Sequence, residues 1–147
     1  MQVKIQEPSC TGYIGDCDDT SMNAIRLTCS DGTELISDNE GEWGTWGNKV
    51  TSPYGIFGVT FRTERDQDNG DDTAANGIRF KDMNDVEYSP GDGNWGDWSG
   101  YFYCNPGTVV SGLRLKIQAN IVEGDDTALN EVQFYCGVAV GMYISKK

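Results

Sequence analysis

One motif, D-D-T-x-x-N, is written three times in this chain. It reads Asp18-Asp19-Thr20 leading to Asn23, Asp71-Asp72-Thr73 leading to Asn76, and Asp125-Asp126-Thr127 leading to Asn130. Asp71 follows Asp18 by 53 residues and Asp125 follows Asp71 by 54, so the copies are one register of a threefold repeat. An alternating run precedes each copy: "VKIQ" from Val3, "GVTFRTE" from Gly58 and "GLRLKIQA" from Gly112. A second run follows each: "AIRLTC", "GIRF" and "EVQFYC". Alternation with period two describes half-buried strands. Strands this short cannot bury a face alone, so the three repeats must share one core.

A second motif closes two of the repeats. W-G-x-W occurs as "EWGTWG" from Glu42 and "NWGDWSG" from Asn94, with first tryptophans Trp43 and Trp95 52 residues apart. A third copy, by the same spacing, would fall just beyond Lys147. The C-terminal "VAVGMYISKK" reads as the strand that would precede it, and "MQVKIQ" as the strand that would follow it. The two ends therefore flank one break in a cyclic pattern. This predicts an all-β fold, a β-prism of three antiparallel sheets with internal pseudo-threefold symmetry. The chain is expected to be a single domain whose repeats run approximately over 1–51, 52–104 and 105–147. A three-bladed propeller-like array and a β-trefoil are the rival architectures, and the trefoil normally repeats at a shorter interval.

Composition narrows the partners. The chain has 147 residues, 19 of them glycine, and a formal net charge of −12, which argues against a nucleic-acid surface because phosphate binding needs a basic patch. No apolar run approaches a membrane span. The opening "MQVKIQEPSC" passes straight into a strand, so either a leader was removed or the protein is intracellular. Five cysteines without a C-x-x-C pair, in a chain with no histidine, disfavour zinc and favour disulfides over buried thiols. Five is odd, so one thiol is left over or pairs between molecules. No N-x-[ST] sequon is present.

With D-D-T-x-x-N, the following I-R-L or I-R-F strand and W-G-x-W together, the chain resembles the vitelline membrane outer layer protein 1 family over nearly its whole length. The resemblance implies a β-prism of three Greek-key sheets in a secreted, disulfide-linked protein of egg coats and mucosal fluids. It also implies an association with chito-oligosaccharides and with transfer of N-acetylglucosamine units, although a fold does not establish an activity. In the family, a cysteine after W-G-x-W accompanies one at the end of the next "IRLxC" strand. Cys104 in "CNPG" and Cys136 in "QFYC" match those positions and are expected to pair. The middle repeat lacks both, with Ser52 in "SPYG" and with Asp82 and Met83 ending "RFKDM". Cys10 and Cys17 flank the insertion "CTGYIGDC", and a Cys10–Cys17 bond leaves Cys29 unpaired. A bond from Cys29 to Cys10 or Cys17 is the alternative.

Without histidine, Ser-His-Asp and Cys-His nucleophiles are excluded, and no phosphate-binding glycine loop occurs. Carboxylate chemistry is what remains. Glycosyl transfer needs two carboxyls about 5–9 Å apart, one with a raised pKa. Adjacent acids point in different directions, so a dyad would join repeats, with Asp19, Asp72 and Asp126 as catalytic candidates. Against this stands turn chemistry: Asp18, Asp71 and Asp125 with their neighbours accept backbone hydrogen bonds, while Thr20, Thr73 and Thr127 and Asn23, Asn76 and Asn130 tie the loop. Repetition in all three copies favours the structural role. The acidic run "RDQDNGDD" from Arg65 offers oxygens for calcium but lacks the spacing of a calcium loop, and no metal or cofactor is expected.

Sugars stack on aromatic faces, which makes Trp43, Trp46, Trp95, Trp98 and Tyr101, with Asp18, Asp71 and Asp125, candidate ligand contacts. The competing role for W-G-x-W is a corner between sheets, with glycine permitting the bend. Alternation puts Tyr101 and Tyr103 on one face and Phe102 on the other. The expectation is an extracellular, non-enzymatic glycan-binding or matrix protein, its partners glycan or matrix components. A weak glycosyl-transferring enzyme on N-acetylglucosamine oligomers, and an interaction or toxin-targeting module, are the alternatives.

Overall fold

The computed structural model describes residues 1–7, 20–36, 40–65, 74–118 and 128–139, and among these there is no helix. Three antiparallel sheets form. Sheet A holds β1 (Gln2–Ile5), β2 (Met22–Thr28), β3 (Glu34–Ile36) and β4 (Thr45–Trp46) in the order β3-β2-β1-β4. Sheet B holds β5 (Ile56–Thr63), β6 (Ala75–Asp82), β7 (Glu87–Asp92) and β8 (Asp97–Trp98) in the order β7-β6-β5-β8, with β9 (Phe102–Tyr103) also on β5. Sheet C pairs β10 (Thr108–Ile117) with β11 (Leu129–Val138). Apart from β9, the strands of sheet B match those of sheet A, and each set of four has the Greek-key order in which the fourth strand returns beside the first. This is the β-prism that the repeat predicts.

The alternating runs become the paired strands at the centre of each sheet. In β2, Ile25 and Leu27 turn inward while Arg26 is half-exposed; in β6, Ile78 and Phe80 turn inward around Arg79. The buried core draws on all three sheets, with Val3, Met22 and Ile25 from A, Val59, Ile78 and Phe80 from B, and Leu129 from C. Each such side chain contributes about 1.5–3 kcal/mol on burial. Sheets meet through close contacts. Gly91 of β7 has no room for a Cβ, which would strike Val3 and Ile5 of β1. Phe61 of β5 stacks on Phe134 of β11 with ring centroids 6.1 Å apart.

Register shows why D-D-T-x-x-N recurs. Each central pairing slips by one residue at the same place: Ile5 pairs with Met22, Thr63 with Ala75 and Ile117 with Leu129. The residue left over is Asn23, Asn76 or Asn130, so the motif's asparagine is the extra residue of a β-bulge. Two residues before each asparagine, Ser21, Ala74 and Ala128 adopt left-handed φ values of 50°, 45° and 46°. That conformation is costly for a residue with a Cβ and persists because the surroundings over-determine it. The same hydrogen bond closes all three turns: Gln6 N–H donates to Ser21 O at 2.7 Å, Glu64 N–H to Ala74 O at 2.9 Å, and Gln118 N–H to Ala128 O at 2.7 Å.

Candidate functional site

The described half of each acidic motif is turn architecture. Asn23 is fully buried, and its Nδ2 donates to Thr20 Oγ1 at 2.7 Å and to Ser21 O at 3.2 Å. Thr20 Oγ1 in turn donates to Gln6 Oε1 at 2.7 Å. Asn76 is equally buried, while Asn130 is exposed and donates to Gln118 Oε1 at 3.3 Å. Asp18, Asp19, Asp71, Asp72, Asp125, Asp126, Thr73 and Thr127 lie outside the described residues, as do Cys10, Cys17 and all but the first residue of the "RDQDNGDD" run.

W-G-x-W is a clamp with two different tryptophans. Its glycine, Gly44 or Gly96, has φ of +85° or +82°, and a Cβ there would overlap the backbone of Ile5 or Thr63. Only glycine satisfies both demands. The second tryptophan reaches across the intervening strand to an arginine two strands away: Arg26 sits 4.2 Å from the Trp46 centroid and Arg79 4.1 Å from the Trp98 centroid, a cation–π contact. Both of these indoles are half-buried. The first tryptophans face solvent, Trp43 at 46% and Trp95 at 36% exposure. A cation from the first strand holds the turn that leads in. Lys4 Nζ donates to Gly41 O at 2.8 Å, and Arg62 donates to Gly93 O at 2.7 Å, Asn94 O at 2.9 Å and Gly96 O at 3.0 Å.

The arginine platform was legible in the sequence and easy to pass over. Arg26 and Arg79 each lie three residues after the motif asparagine, in the two repeats that carry W-G-x-W. In the third repeat, which lacks the tryptophans, the same position is Gln133.

Sheet B departs from this common plan on its outer face. Gly77 and Gly58 leave the sheet bare at two places, and aromatic rings lie close there. A Cβ on Gly77 would come within 3.3 Å of the Trp98 ring and one on Gly58 within 2.6 Å of the Tyr103 ring. Tyr103 stacks on Tyr101 with centroids 5.6 Å apart and leans on Phe57 at 5.5 Å. Tyr101 and Tyr103 thus share a face, as alternation requires, and Phe102 is 70% exposed. Lys81 Nζ lies 5.0 Å from the Tyr101 centroid. The Tyr101 hydroxyl donates to Glu87 Oε2 at 2.6 Å. Burial, then the Glu87 hydrogen bond and charge, push the Tyr101 pKa well above the ordinary phenol value. Arg79 reaches both Glu87, at 3.6 Å, and Asp92, at 3.5 Å. The result is a band in which the stacked rings of Tyr101 and Tyr103 connect to the Trp98 ring through Glu87 and Arg79. Among the described residues sheet A has no such tyrosine pair, because Lys49 and Thr51 stand where Tyr101 and Tyr103 follow the tryptophan.

Of the residues singled out from sequence, Trp98 and Tyr101 are linked on sheet B through the Arg79–Glu87 ion pair, while Trp46 lies on sheet A. Tyr103, which alternation had placed on the face of Tyr101, completes the band with Arg79, Lys81, Glu87 and Asp92, and periodicity alone gave no reason to select these four. The Cys104–Cys136 disulfide is formed, joining β11 to the segment after β9 with Cα atoms 5.8 Å apart, and Cys29 is a free, half-buried thiol.

Comparison with known proteins agrees with this architecture. The family model described as vitelline membrane outer layer protein I matches residues 1–136. The vitelline membrane outer layer protein 1 homolog of Mus musculus is 36% identical over 143 aligned residues, covering 92% of this chain and 69% of the mouse protein. The homolog of Homo sapiens is 39% identical over 147, covering 92% of this chain and 68% of the human protein. A chain with this repeat, this prism and these relatives belongs to the vitelline membrane outer layer protein I family.

Proposed function

We propose that this is an extracellular coat or matrix protein that binds glycans through the outer face of sheet B. Membership in a family named for an egg-coat layer supports the extracellular setting, as does the disulfide Cys104–Cys136, since such bonds persist in oxidising compartments. No described helix is long and apolar enough to cross a membrane. The observation that carries the reading is the ring band of Trp98, Tyr101 and Tyr103, present on one of the two matching sheets only. Flat aromatic faces suit the apolar faces of pyranose rings, and Glu87, Asp92 and Arg79 supply acceptors and donors for sugar hydroxyls at the margin. A role needed once per molecule falls on what the repeats do not share. The charges are tied to each other, Glu87 to Tyr101 and Arg79, Asp92 to Arg79, which favours recognition over proton transfer.

The test is a glycan array that includes N-acetylchito-oligosaccharides, probed with the wild type and with Tyr103→Ala, Trp98→Ala and Trp46→Ala. Binding that falls in the first two variants and persists in the third supports the reading. Equal loss in Trp46→Ala and Trp98→Ala, or binding untouched by Tyr103→Ala, removes it.

A further inference from the structure

The fold treats the two tryptophans of each W-G-x-W differently. Trp46 and Trp98 are half-buried and hold Arg26 and Arg79 against their rings, at 4.2 Å and 4.1 Å. Trp43 and Trp95 stand three residues earlier, across a glycine with φ of +85° or +82°, and remain 46% and 36% exposed. The turn is the same in both copies, since Thr45–Trp46 pairs with β1 as Asp97–Trp98 pairs with β5. Each copy thus presents one indole to solvent and anchors the other. The second tryptophan has its structural role, and glycan binding by the tyrosine band of sheet B makes no use of the first.

We propose that Trp43 and Trp95 are sites of C-mannosylation, each carrying one mannose joined to indole C2. That modification is directed by W-x-x-W and falls on the first tryptophan, and the chain contains the pattern twice. A motif of this kind carries weight only in a structural context that suits it. Here the context suits it in both copies. A sugar on Trp43 or Trp95 meets solvent, whereas one on Trp46 or Trp98 would crowd a ring that an arginine already covers. The co-reactant is mannose carried as a polyprenyl phosphate. Indole C2 attacks the anomeric carbon, the bond from that carbon to the phosphate oxygen breaks, and polyprenyl phosphate leaves with the electron pair. Loss of the C2 proton restores the aromatic indole, and nothing is oxidised or reduced. The product places a bulky, solubilising group at equivalent turns of sheets A and B. The inference rests on the secretory setting proposed above and not on glycan binding by sheet B.

The experiment expresses the full chain behind a cleavable leader in animal cells that C-mannosylate a co-secreted reporter bearing W-x-x-W. Tryptophan peptides from medium and cells are then mapped by tandem mass spectrometry. One added hexose is expected on Trp43 and one on Trp95, with the cross-ring fragmentation of a carbon-linked sugar, while Trp46 and Trp98 stay unmodified. Trp46→Ala should abolish the hexose on Trp43 and leave that on Trp95, and Trp98→Ala should do the reverse. The untouched copy in each variant shows that the molecule met the transferase. A bare Trp43 or Trp95 in the wild type, hexose on the second tryptophans, or hexose that persists on Trp43 in Trp46→Ala would overturn the proposal. Hexose lost whole on fragmentation, as from an oxygen of Thr45 or Ser99, would overturn it too. None of these outcomes bears on the glycan array, whose result turns on sheet B.

Discussion

The Ser52 hydroxyl donates to Asp82 Oδ2 at 2.7 Å, and this pair occupies the place that the Cys104–Cys136 disulfide holds one repeat later. Ser52 follows Trp46 by six residues, as Cys104 follows Trp98, and Asp82 follows Asn76 by six, as Cys136 follows Asn130. A hydrogen bond has replaced a covalent staple at an equivalent corner. The double variant Ser52→Cys/Asp82→Cys should therefore oxidise to a bond between positions 52 and 82, detected as a linked peptide by mass spectrometry. Two free thiols under conditions that oxidise Cys104–Cys136 would contradict the equivalence.

Asp82 is a carboxylate built into the interior, 1% exposed. Burial, the largest single influence, raises its pKa, but the hydrogen bonds from Ser52, the amides of Val86 and Asn84, and the Tyr88 hydroxyl together hold it below the ordinary carboxylate value. A depressed folded-state pKa adds stability that is fully present above the unfolded-state carboxylate pKa and is lost as pH falls through the folded value. Denaturant melts should show stability declining below the ordinary aspartate range, and Asp82→Asn should flatten that decline. Asp82→Ala, which strands several donors, should cost about 2–4 kcal/mol at neutral pH.

Cys104 is buried at 7% exposure, and its bond to Cys136 spans a separation of 32 residues. Cys104→Ser/Cys136→Ser should lower unfolding free energy by about 2–4 kcal/mol in denaturant titrations. A change below about 0.5 kcal/mol would show that sheet C is held by packing alone.

Gly96 and Gly100 offer an internal control within a few residues. Gly96→Ala meets both a left-handed φ and the Thr63 backbone, whereas a Cβ at Gly100 meets nothing within 4 Å. Gly96→Ala should destabilise by more than about 1 kcal/mol, and Gly100→Ala by less than about 0.5 kcal/mol. Equal effects in thermal melts would mean that the corner tolerates a Cβ.

Arg79 and Trp98 should couple in a double-mutant cycle by about 0.5–1 kcal/mol, with Arg26 and Trp46 giving a similar value. Coupling near zero for both pairs would reduce the stacked geometry to coincidence.

Much of this fold was legible because it is written more than once. Repeated D-D-T-x-x-N revealed the threefold plan of flanking strands, and the bulge at Asn23, Asn76 and Asn130 is the physical reason the motif recurs. The site was harder to read. Trp98 and Tyr101 were visible as aromatics, but Arg79, Lys81 and Glu87 look like the solvated face of any half-buried strand. Only the pairing of Lys81 with Gly58 on one side and Glu87 on the other places them under the rings. Gly58 and Gly77 stand in the sequence only as the first residues of the runs "GVTFRTE" and "GIRF"; in the structure they clear space for Tyr103 and Trp98. Such cross-strand relations depend on register, which a one-dimensional pattern specifies weakly.

The central claim is that glycan recognition resides on sheet B and not on its near-copy, sheet A. The most direct measurement is a titration of isotope-labelled protein with N-acetylchitotetraose, following the two indole N–H signals of Trp46 and Trp98 and the amides of Lys81, Tyr101 and Tyr103. The account predicts saturable shifts at Trp98 and the three amides while Trp46 stays still. Shifts at Trp46 matching those at Trp98, or shifts confined to residues off sheet B, would contradict it.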